Sequence, residues 1–326
     1  MADSIRLLVS LRRYHPAGDP RLSHWQIVEC DLLGRIRAQW TRGDADHFAM
    51  EHDPARNRVY CVRTSRRDRV RPVEVVRIDS PGAPPRVLAR FEDGLTPYDL
   101  ALSPDGRMVS VRTWAPRESC RILDTATGKQ LASAPGTSEF EWIGPGAYRV
   151  EGESGSARFG RIGPGPRPTP PLPEKPTVSL ETEYPDEDGV GVLYCIAADG
   201  TRTRVEGDPL WNRCLRENLI QGVDLLDRRP DGTWWVATYP HRASLQVVGI
   251  LDPARAQVRF AFRAPGTHLR LEGTPWVVGW PLQRFTELGE LTIEERPLYR
   301  LDRRRPGHWR RMWPGAHHVD SLIRIA

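Results

Sequence analysis

The sequence predicts an all-β fold, a seven-bladed β-propeller whose blades are four-stranded antiparallel sheets. Three observations predict it: a segment of four short strand patterns at residues 97–134, weaker copies of that segment along the chain, and chain ends whose strand patterns complement each other. Short strands separated by turn signals at regular spacing are typical of propellers. The repeat determines on which strand or loop every other motif falls.

The clearest blade occupies residues 97–134, PYDLALSPDGRMVSVRTWAPRESCRILDTATGKQLASA. A short apolar run ends at the turn SPDG, residues 103–106, and an alternating run follows as far as Arg112. A third run ends with DTATG, residues 124–128, before a short fourth run. Asp-Gly and Thr-Gly turns between alternating runs indicate successive hairpins.

Copies of this blade recur with DPARN at residues 53–57 and RPDG at residues 229–232 in place of SPDG. Candidate inner strands begin near residues 47, 97, 138, 177, 219, 267 and 317. Their spacing of roughly 40–50 residues is the period of propeller blades. The count is therefore seven, with six as the alternative, because the blades that begin near residues 138 and 177 are poorly marked.

The two ends of the chain complement each other. Residues 5–14, 24–34 and 35–41 read as the second, third and fourth strands of a blade, and residues 317–325 read as a lone strand. We expect residues 317–325 to pair with residues 5–13 as the missing inner strand of the first blade. Ring closure of that kind removes an exposed sheet edge.

Composition agrees with one all-β domain over residues 1–326, since the chain is 39% hydrophobic and 27% charged, with 28 Gly and 30 Pro. No apolar stretch approaches the ~18 residues of a membrane span. The first residues read as a strand and not as a signal peptide. These features predict a cytoplasmic protein with no membrane partner.

The chain has five cysteines, an odd number, and no Cys-x-x-Cys pair. Buried reduced thiols are therefore expected, and disulfides or a zinc site are not. The cysteines are Cys30, Cys61, Cys120, Cys195 and Cys214.

The formal net charge is +5 and the pI is near 9.1, and lysine occurs only at Lys129 and Lys175. In a propeller, the loop between the second and third strands of a blade lies on the face that carries the links between blades. Five such loops place Arg beside Tyr, Trp, His or Thr. The candidate partner-binding residues are Arg13, Tyr14, Arg63, Arg66, Arg112, Trp114, Arg117, Tyr239, His241, Arg242, Trp280 and Arg284.

Arginine and aromatic side chains anchor protein interfaces, and arginine binds carboxylates and phosphates with two parallel hydrogen bonds. This set therefore predicts a face that binds a protein with an acidic surface. The other interpretation is that an Arg-rich chain simply places its charges in surface loops. Nucleic-acid binding through the same basic face is a further alternative.

Catalytic signatures are missing from the sequence. It contains no Gly-x-Ser-x-Gly, His-Glu-x-x-His or phosphate-binding loop, so no catalytic residue, metal site or cofactor is predicted. His317 and His318 are adjacent in a strand pattern and point to opposite faces, so they cannot share one metal.

The main rival is a lactonase- or lyase-like propeller enzyme with a metal in its central channel. That reading requires carboxylates that converge from inner strands, for which Asp99, Glu139, Asp224 and Asp320 are the candidates. Residues 283–297 form an insert with two interpretations, a short helix or an extended hairpin.

Residues 97–134 and 219–264 resemble bacterial WD40-like and YVTN-type propeller repeats. The resemblance lies in SPDG with DTATG, and in RPDG with Leu251-Asp252-Pro253. The Trp-Asp dipeptide of eukaryotic WD40 blades is absent. Cytoplasmic bacterial propellers of this kind often act as interaction platforms, so the resemblance implies a non-catalytic scaffold in a bacterial complex.

Overall fold

The computed structural model describes residues 6–13, 24–31, 34–43, 45–64, 72–91, 97–113, 119–152, 157–164, 178–183, 192–197, 199–218, 220–229, 231–240, 245–265, 276–278, 282–285, 291–295, 298–301, 309–313 and 317–325. The chain forms two compact units, one of Met1–Pro170 with Gly315–Ala326 and one of Pro171–Pro314. The sequence prediction of one domain stays a prediction.

The described elements are almost entirely strands. The first unit contains β1 (Arg6–Arg13), β2 (His24–Asp31), β3 (Ile36–Gly43), β4 (Asp46–Asp53), β5 (Arg58–Thr64), β6 (Val73–Ile78), β7 (Arg86–Phe91), β8 (Pro97–Leu102), β9 (Met108–Thr113), β10 (Ser119–Asp124), β11 (Gln130–Pro135), β12 (Thr137–Gly144), β13 (Ala147–Gly152) and β14 (Ala157–Arg161). The second unit contains β15 (Val178–Glu183), β16 (Val192–Ala197), β17 (Arg202–Arg204), β18 (Glu206–Gly207), helix α1 (Pro209–Asn218), β19 (Ile220–Arg228), β20 (Trp234–Pro240), β21 (Leu245–Asp252), β22 (Gln257–Pro265), β23 (Trp276–Val278), β24 (Leu282–Phe285), β25 (Leu291–Glu295), β26 (Leu298–Leu301) and β27 (Trp309–Arg311). The last strand, β28 (His317–Arg324), belongs to the first unit.

Four antiparallel sheets follow one another along the first unit. The first sheet has the order β28-β1-β2-β3, the second β4-β5-β6-β7, the third β11-β10-β9-β8 and the fourth β12-β13-β14. Within each of these sheets, and apart from β28, strands that are consecutive in sequence pair with each other. This is the meander that the turn signals predicted.

The predicted pairing of the two chain ends is confirmed. In the β1–β28 register Leu7 lies opposite Arg324 and Arg13 lies opposite His317, with a bulge after Ser10. The N-terminal sheet thus gains its fourth strand from the last residues of the chain. The number of blades and the closure of a complete ring stay predictions.

Predicted inner strands coincide with observed first strands of sheets. Observed starts are Asp46, Pro97, Thr137, Val178, Ile220 and His317. The start predicted near residue 267 lies outside the described residues, and β23 is described from Trp276. Turn residues and alternation therefore located these strands to within about one residue.

Tight turns hold the hairpins through aspartate side chains. In the turn at residues 103–106, Gly106 has φ +67° and its amide donates to the Ser103 carbonyl oxygen at 2.8 Å. In the turn at residues 124–128, Asp124 Oδ1 accepts from the amides of Ala126 and Thr127 at 3.0 and 2.7 Å. Asp and Asn favour turns because their side chains accept hydrogen bonds from backbone amides two or three residues ahead.

The second unit contains three further sheets and a hairpin. The fifth sheet is β15-β16-β17, the sixth is β18-β22-β21-β20-β19, and the seventh is β23-β26-β27. β18 pairs with β22 in parallel, as an added outer strand. β24 and β25 pair antiparallel, so the extended-hairpin interpretation of the insert is confirmed.

The sequence analysis did not predict helix α1. Asp208 begins it, because its Oδ1 accepts from the Trp211 amide at 2.7 Å and its Oδ2 from the Phe260 amide at 2.8 Å. Pro209 occupies the first helical position, where a missing N–H costs nothing. Trp211 is 1% exposed and packs against the sixth sheet at Gly249. The Asp-Pro pair is the start signal that was missed.

Apolar residues fill the spaces between neighbouring sheets. In the first unit, Leu8 and Ile27 pack with Val59 between the first and second sheets, while Val75 packs with Val109 between the second and third. All five cysteines are free and buried, as the sequence predicts. Among the described helices, none is long and apolar enough to cross a membrane.

Candidate functional site

Three of the predicted partner-binding side chains are described in full, namely Arg13, Arg63 and Arg112. For Tyr239 and Arg284 the structure gives the strand position only. The others lie outside the described residues: Tyr14, Arg66, Trp114, Arg117, His241, Arg242 and Trp280. The site can therefore be built from the first unit, where the three arginines lie at the ends of β1, β5 and β9.

These strand ends lie on the same side of neighbouring sheets. The turn between β4 and β5 contacts the turn between β8 and β9, since Arg56 Nη1 donates to the Asp105 carbonyl oxygen at 3.3 Å. The opposite ends of the second and third sheets must then also lie together. They do, because the guanidinium of Arg121 lies over the ring of Phe91 at 4.5 Å from its centroid.

The first sheet has the same orientation. Leu8, near the start of β1, and Ile323, near the end of β28, belong to one apolar cluster with Val59 and Ile78 at the turn end of the second sheet. The ends of β1, β5 and β9 consequently lie on one side of three successive sheets, here named the arginine end. Its charged residues with described side chains are Arg12, Arg13, Arg42, Arg63, Glu74, Arg90, Asp99, Arg112 and Arg121, and Asp46 is described at this end by its strand position only.

On the second sheet a single carboxylate holds two arginines. Arg63 Nε donates to Glu74 Oε2 at 2.9 Å, and Arg90 Nη2 donates to Glu74 Oε1 at 2.6 Å. Desolvation raises the pKa of Glu74, but hydrogen bonds from Arg90 and Arg63 outweigh it, so the pKa lies below its ordinary value. Glu74 therefore stays ionised, and Arg63, Arg90 and Glu74 together carry one net positive charge.

On the third sheet Arg112 is held by Asp99. Arg112 Nε and Nη2 both donate to Asp99 Oδ2, at 2.8 and 2.5 Å. The Arg112 side chain is 18% exposed, so its guanidinium is fixed in place and still partly open to solvent. A fixed guanidinium loses less conformational entropy when a partner binds than a free one.

The first sheet carries cations that face one another. Arg13 lies opposite His24 in the β1–β2 register, and Arg42 lies opposite Gln26 in the β2–β3 register. Side chains directly opposite each other share a face of the sheet, as do residues two apart in one strand. Arg13, His24 and Arg42 therefore project from the same face of three adjacent strands.

Burial and charge act together on this group. Burial lowers the pKa of Arg13, and the charge of Arg42 lowers it further. Burial also lowers the pKa of His24, with added repulsion from Arg42 and Arg13. Within the described ranges neither Arg13 nor Arg42 forms an ion pair, in contrast to Arg63 and Arg112.

The sequence analysis predicted the arginines but missed their neighbours. Glu74, His24 and Arg42 belong to the third or fourth strands of their sheets, outside the loops between second and third strands on which the prediction was based. Strand alternation would have placed Arg13 and His24 opposite each other only if the hairpin register had been known. Asp99 was considered for the rival metal site, and the structure places it against Arg112.

The other three carboxylates that the rival metal site would require lie on the inner strands β12, β19 and β28. Glu139 is exposed and lies opposite Glu151, which pairs with Arg149. For Asp224 and Asp320 only the strand positions in β19 and β28 are described. Over the described part of the chain, no group of three or more His, Cys, Asp or Glu residues is arranged to hold a metal ion.

The second unit has an open cleft of about 430 Å³ beside the start of helix α1. Its polar lining includes Asp208, Asp252 and Arg255. Asp208 is committed to backbone amides of the helix and of β22, and Arg255 pairs with Asp252 at 3.6 Å. Each of these three groups therefore already has a partner within the second unit.

No protein-family model matches the chain, and no curated protein matches it. Among solved structures, TolB from Acinetobacter baumannii is similar with a TM-score of 0.46 and 12% identity, over 100% of this chain and 67% of that one. The β-propeller domain of the Trilobed protease from Pyrococcus furiosus has a TM-score of 0.46 and 11% identity, over 95% and 92%. A putative 6-phosphogluconolactonase from Bacteroides fragilis has a TM-score of 0.46 and 11% identity, over 100% and 99%. These similarities assign neither a WD40-like or YVTN family nor an activity to the chain.

Proposed function

We propose that the chain is a β-propeller that serves as a non-catalytic platform and binds an acidic partner protein through the arginine end. The observation that carries the proposal is the repeated position of arginine at the ends of β1, β5 and β9, on one side of three successive sheets. Repetition at one structural position is more than a high arginine content alone requires.

Two of these arginines are fixed before any partner binds. Glu74 holds Arg63, and Asp99 holds Arg112, each at hydrogen-bonding distance. Carboxylates of a partner would meet guanidinium groups that already have a defined orientation. Preorganised arginines contribute to affinity chiefly because little side-chain entropy remains to be lost.

The balance of charge favours an acidic partner. Among the described residues of the arginine end, Glu74 and Asp99 are outnumbered by the arginines. Charge complementarity of this kind raises the rate of association and selects the partner more than it raises affinity. The aromatic residues predicted from the sequence, such as Trp114, would contribute to affinity through burial against the partner.

The experiment compares Arg112→Ala/Trp114→Ala with Arg107→Ala, a matched control on the third sheet. Arg107 is 78% exposed and lies in the turn at the opposite end of that sheet. Nuclease-treated lysate is passed over each immobilised protein, and captured proteins are identified by mass spectrometry and measured again in purified form. Loss of a buried Arg-aromatic anchor costs about 2 kcal/mol or more, so affinity for an acidic partner should fall at least tenfold in the double variant only.

Salt separates this proposal from nucleic-acid binding. Capture of the acidic protein should persist at moderate salt, because aromatic burial contributes, whereas nonspecific nucleic-acid binding falls steeply. Equal yields of the same proteins from the double variant and from the control would exclude the arginine end as the interface. In a parallel capture from untreated lysate, retention of nucleic acid alone, lost at moderate salt, would support the alternative.

A further inference from the structure

The first sheet carries two arginines and a histidine at its end, Arg13, Arg42 and His24, and the described ranges provide no carboxylate partner for either arginine. We propose that this group, here named the cation cluster, is a binding site for a phosphate dianion, either the free ion or a phosphate monoester. The inference does not rest on the proposed partner-binding function, because its test uses inorganic phosphate and the isolated protein.

Strand register places the three groups around one point. Arg13 on β1 and His24 on β2 are directly opposite, and Arg42 on β3 is one diagonal step from His24 on the same face. β1 and β3 lie two strand spacings apart, about 10 Å, with His24 between them. Two long guanidinium side chains can reach a tetrahedral anion held over the middle strand.

The cation cluster has a hydrogen-bond donor that no acceptor in the described part of the chain uses. Arg13 Nε is buried, and within the described ranges it has no hydrogen-bond acceptor. A buried donor without a partner costs about 1–3 kcal/mol. The second and third sheets avoid this cost, since Glu74 and Asp99 accept from the equivalent arginines. On the first sheet an external anion would take the place of those carboxylates.

Repulsion within the cluster also favours a dianion. Like charges on neighbouring strands destabilise a sheet. Burial, and then the charges of Arg42 and Arg13, oppose protonation of His24, so positive charges repel one another within the cluster. A phosphate brings two negative charges and up to four acceptor oxygens, which suits two guanidinium groups and an imidazole N–H.

Isothermal titration calorimetry with inorganic phosphate at constant ionic strength tests the proposal. The variants are Arg13→Gln and Arg42→Gln, with Arg37→Gln as the matched control. Arg37 lies on the same strand as Arg42, at its other end, where it pairs with Asp31 at 2.8 Å. Saturable binding of one phosphate should weaken at least tenfold in each cluster variant and less than twofold in the control.

A second titration with methyl phosphate distinguishes the two sources. Binding of both probes assigns the site to monoesters, and binding of inorganic phosphate alone assigns it to the free ion. If neither probe binds saturably, or if Arg42→Gln binds phosphate as the native chain does, the proposal is wrong. Arg42 is exposed, so Arg42→Gln keeps the test valid even where Arg13→Gln fails to fold. The partner-binding proposal is tested through Arg112, which lies on the third sheet and outside the cation cluster, so the two tests can fail independently.

Discussion

The guanidinium of Arg77 in the second sheet donates from Nη1 to the carbonyl oxygen of Thr125 in a turn of the third sheet, at 3.2 Å. Arg77 is 8% exposed, so the bond lies away from water. Thr125 Oγ1 donates in turn to the Gly106 carbonyl oxygen at 2.8 Å. Two turns of one sheet are thus tied to the strand of its neighbour by a charged side chain.

Arg77→Met should therefore lower the free energy of unfolding by about 1.5–3 kcal/mol, the range for a hydrogen bond from a charged group. Methionine keeps the apolar stem but removes the donor to the Thr125 carbonyl oxygen and the ion pair with Asp79, whose side chain is 44% exposed and contributes less. The control is Arg86→Met, because Arg86 lies directly opposite Arg77 on β7 and is exposed. Urea denaturation should show a change within about 0.5 kcal/mol for the control. Equal losses in both variants would contradict the role of the bond.

Gly128 and Gly82 separate backbone strain from packing. Both have φ +77°, which any residue with a Cβ adopts at a cost of about 1–2 kcal/mol. A Cβ at Gly128 would collide with the carbonyl oxygen of Leu88 in the neighbouring sheet, whereas a Cβ at Gly82 would meet nothing within 4 Å. Gly128→Ala should thus destabilise the protein by about 1–3 kcal/mol more than Gly82→Ala in urea denaturation. Similar values for the two variants would show that the sheets separate freely at Leu88.

Buried thiols should be inert in the folded chain. Burial raises the pKa of Cys30, Cys61 and Cys120 to about 12 in each case, and the thiolate is the reactive form. A chromogenic disulfide reagent at pH 8 should therefore titrate no thiol rapidly in native protein and all five in urea. Rapid reaction of one or more equivalents in native buffer would indicate a local opening.

His24 should titrate below 6.5, its ordinary pKa, mainly because of burial and then because of Arg42 and Arg13. The folded chain then binds a proton less readily than the unfolded chain, so stability should decrease as the pH falls below about 6.5. Arg42→Gln removes one repelling charge and should raise the His24 pKa, while Arg37→Gln should leave it unchanged. Imidazole NMR signals followed against pH report the value directly. A His24 pKa that is the same in both variants would remove the evidence that Arg42 acts on it.

Turn chemistry explains why so much of the fold was predictable. Turns such as SPDG at residues 103–106 have local causes, an aspartate acceptor and a glycine with positive φ, and local causes are visible in a sequence. The pairing of β28 with β1 was also predictable, because one end lacked a strand and the other had one to spare. Helix α1 was not predicted, because Trp211 is buried against Gly249 of a strand later in the chain, a contact that no local pattern shows.

The candidate site was predictable only in part, for a physical reason. The positions of Arg63 and Arg112 were predictable from the repeat of the strand patterns. Their ion pairs depend on cross-strand register, which shifts at bulges such as those in β4 and β8. The cation cluster combines residues from three strands, and no single motif contains them. A one-residue error in register would move Arg42 to the other face of the sheet.

The last prediction concerns β28, whose removal should expose the edge of β1. Deletion of residues 317–326 takes away the strand that pairs with β1, and with it Ile323, which packs on the cluster of Leu8 and Ile27. An unpaired, buried strand at a sheet edge favours association with other chains. The truncated protein should aggregate and melt at a lower temperature, as measured by light scattering and calorimetry.

A synthetic peptide of residues 315–326 should bind the truncated chain and restore the monomer, because β1 still offers the edge that pairs with these residues in the intact chain. A truncated chain that stays monomeric with an unchanged melting temperature, or a peptide that does not bind, would show that β28 contributes little to the first sheet.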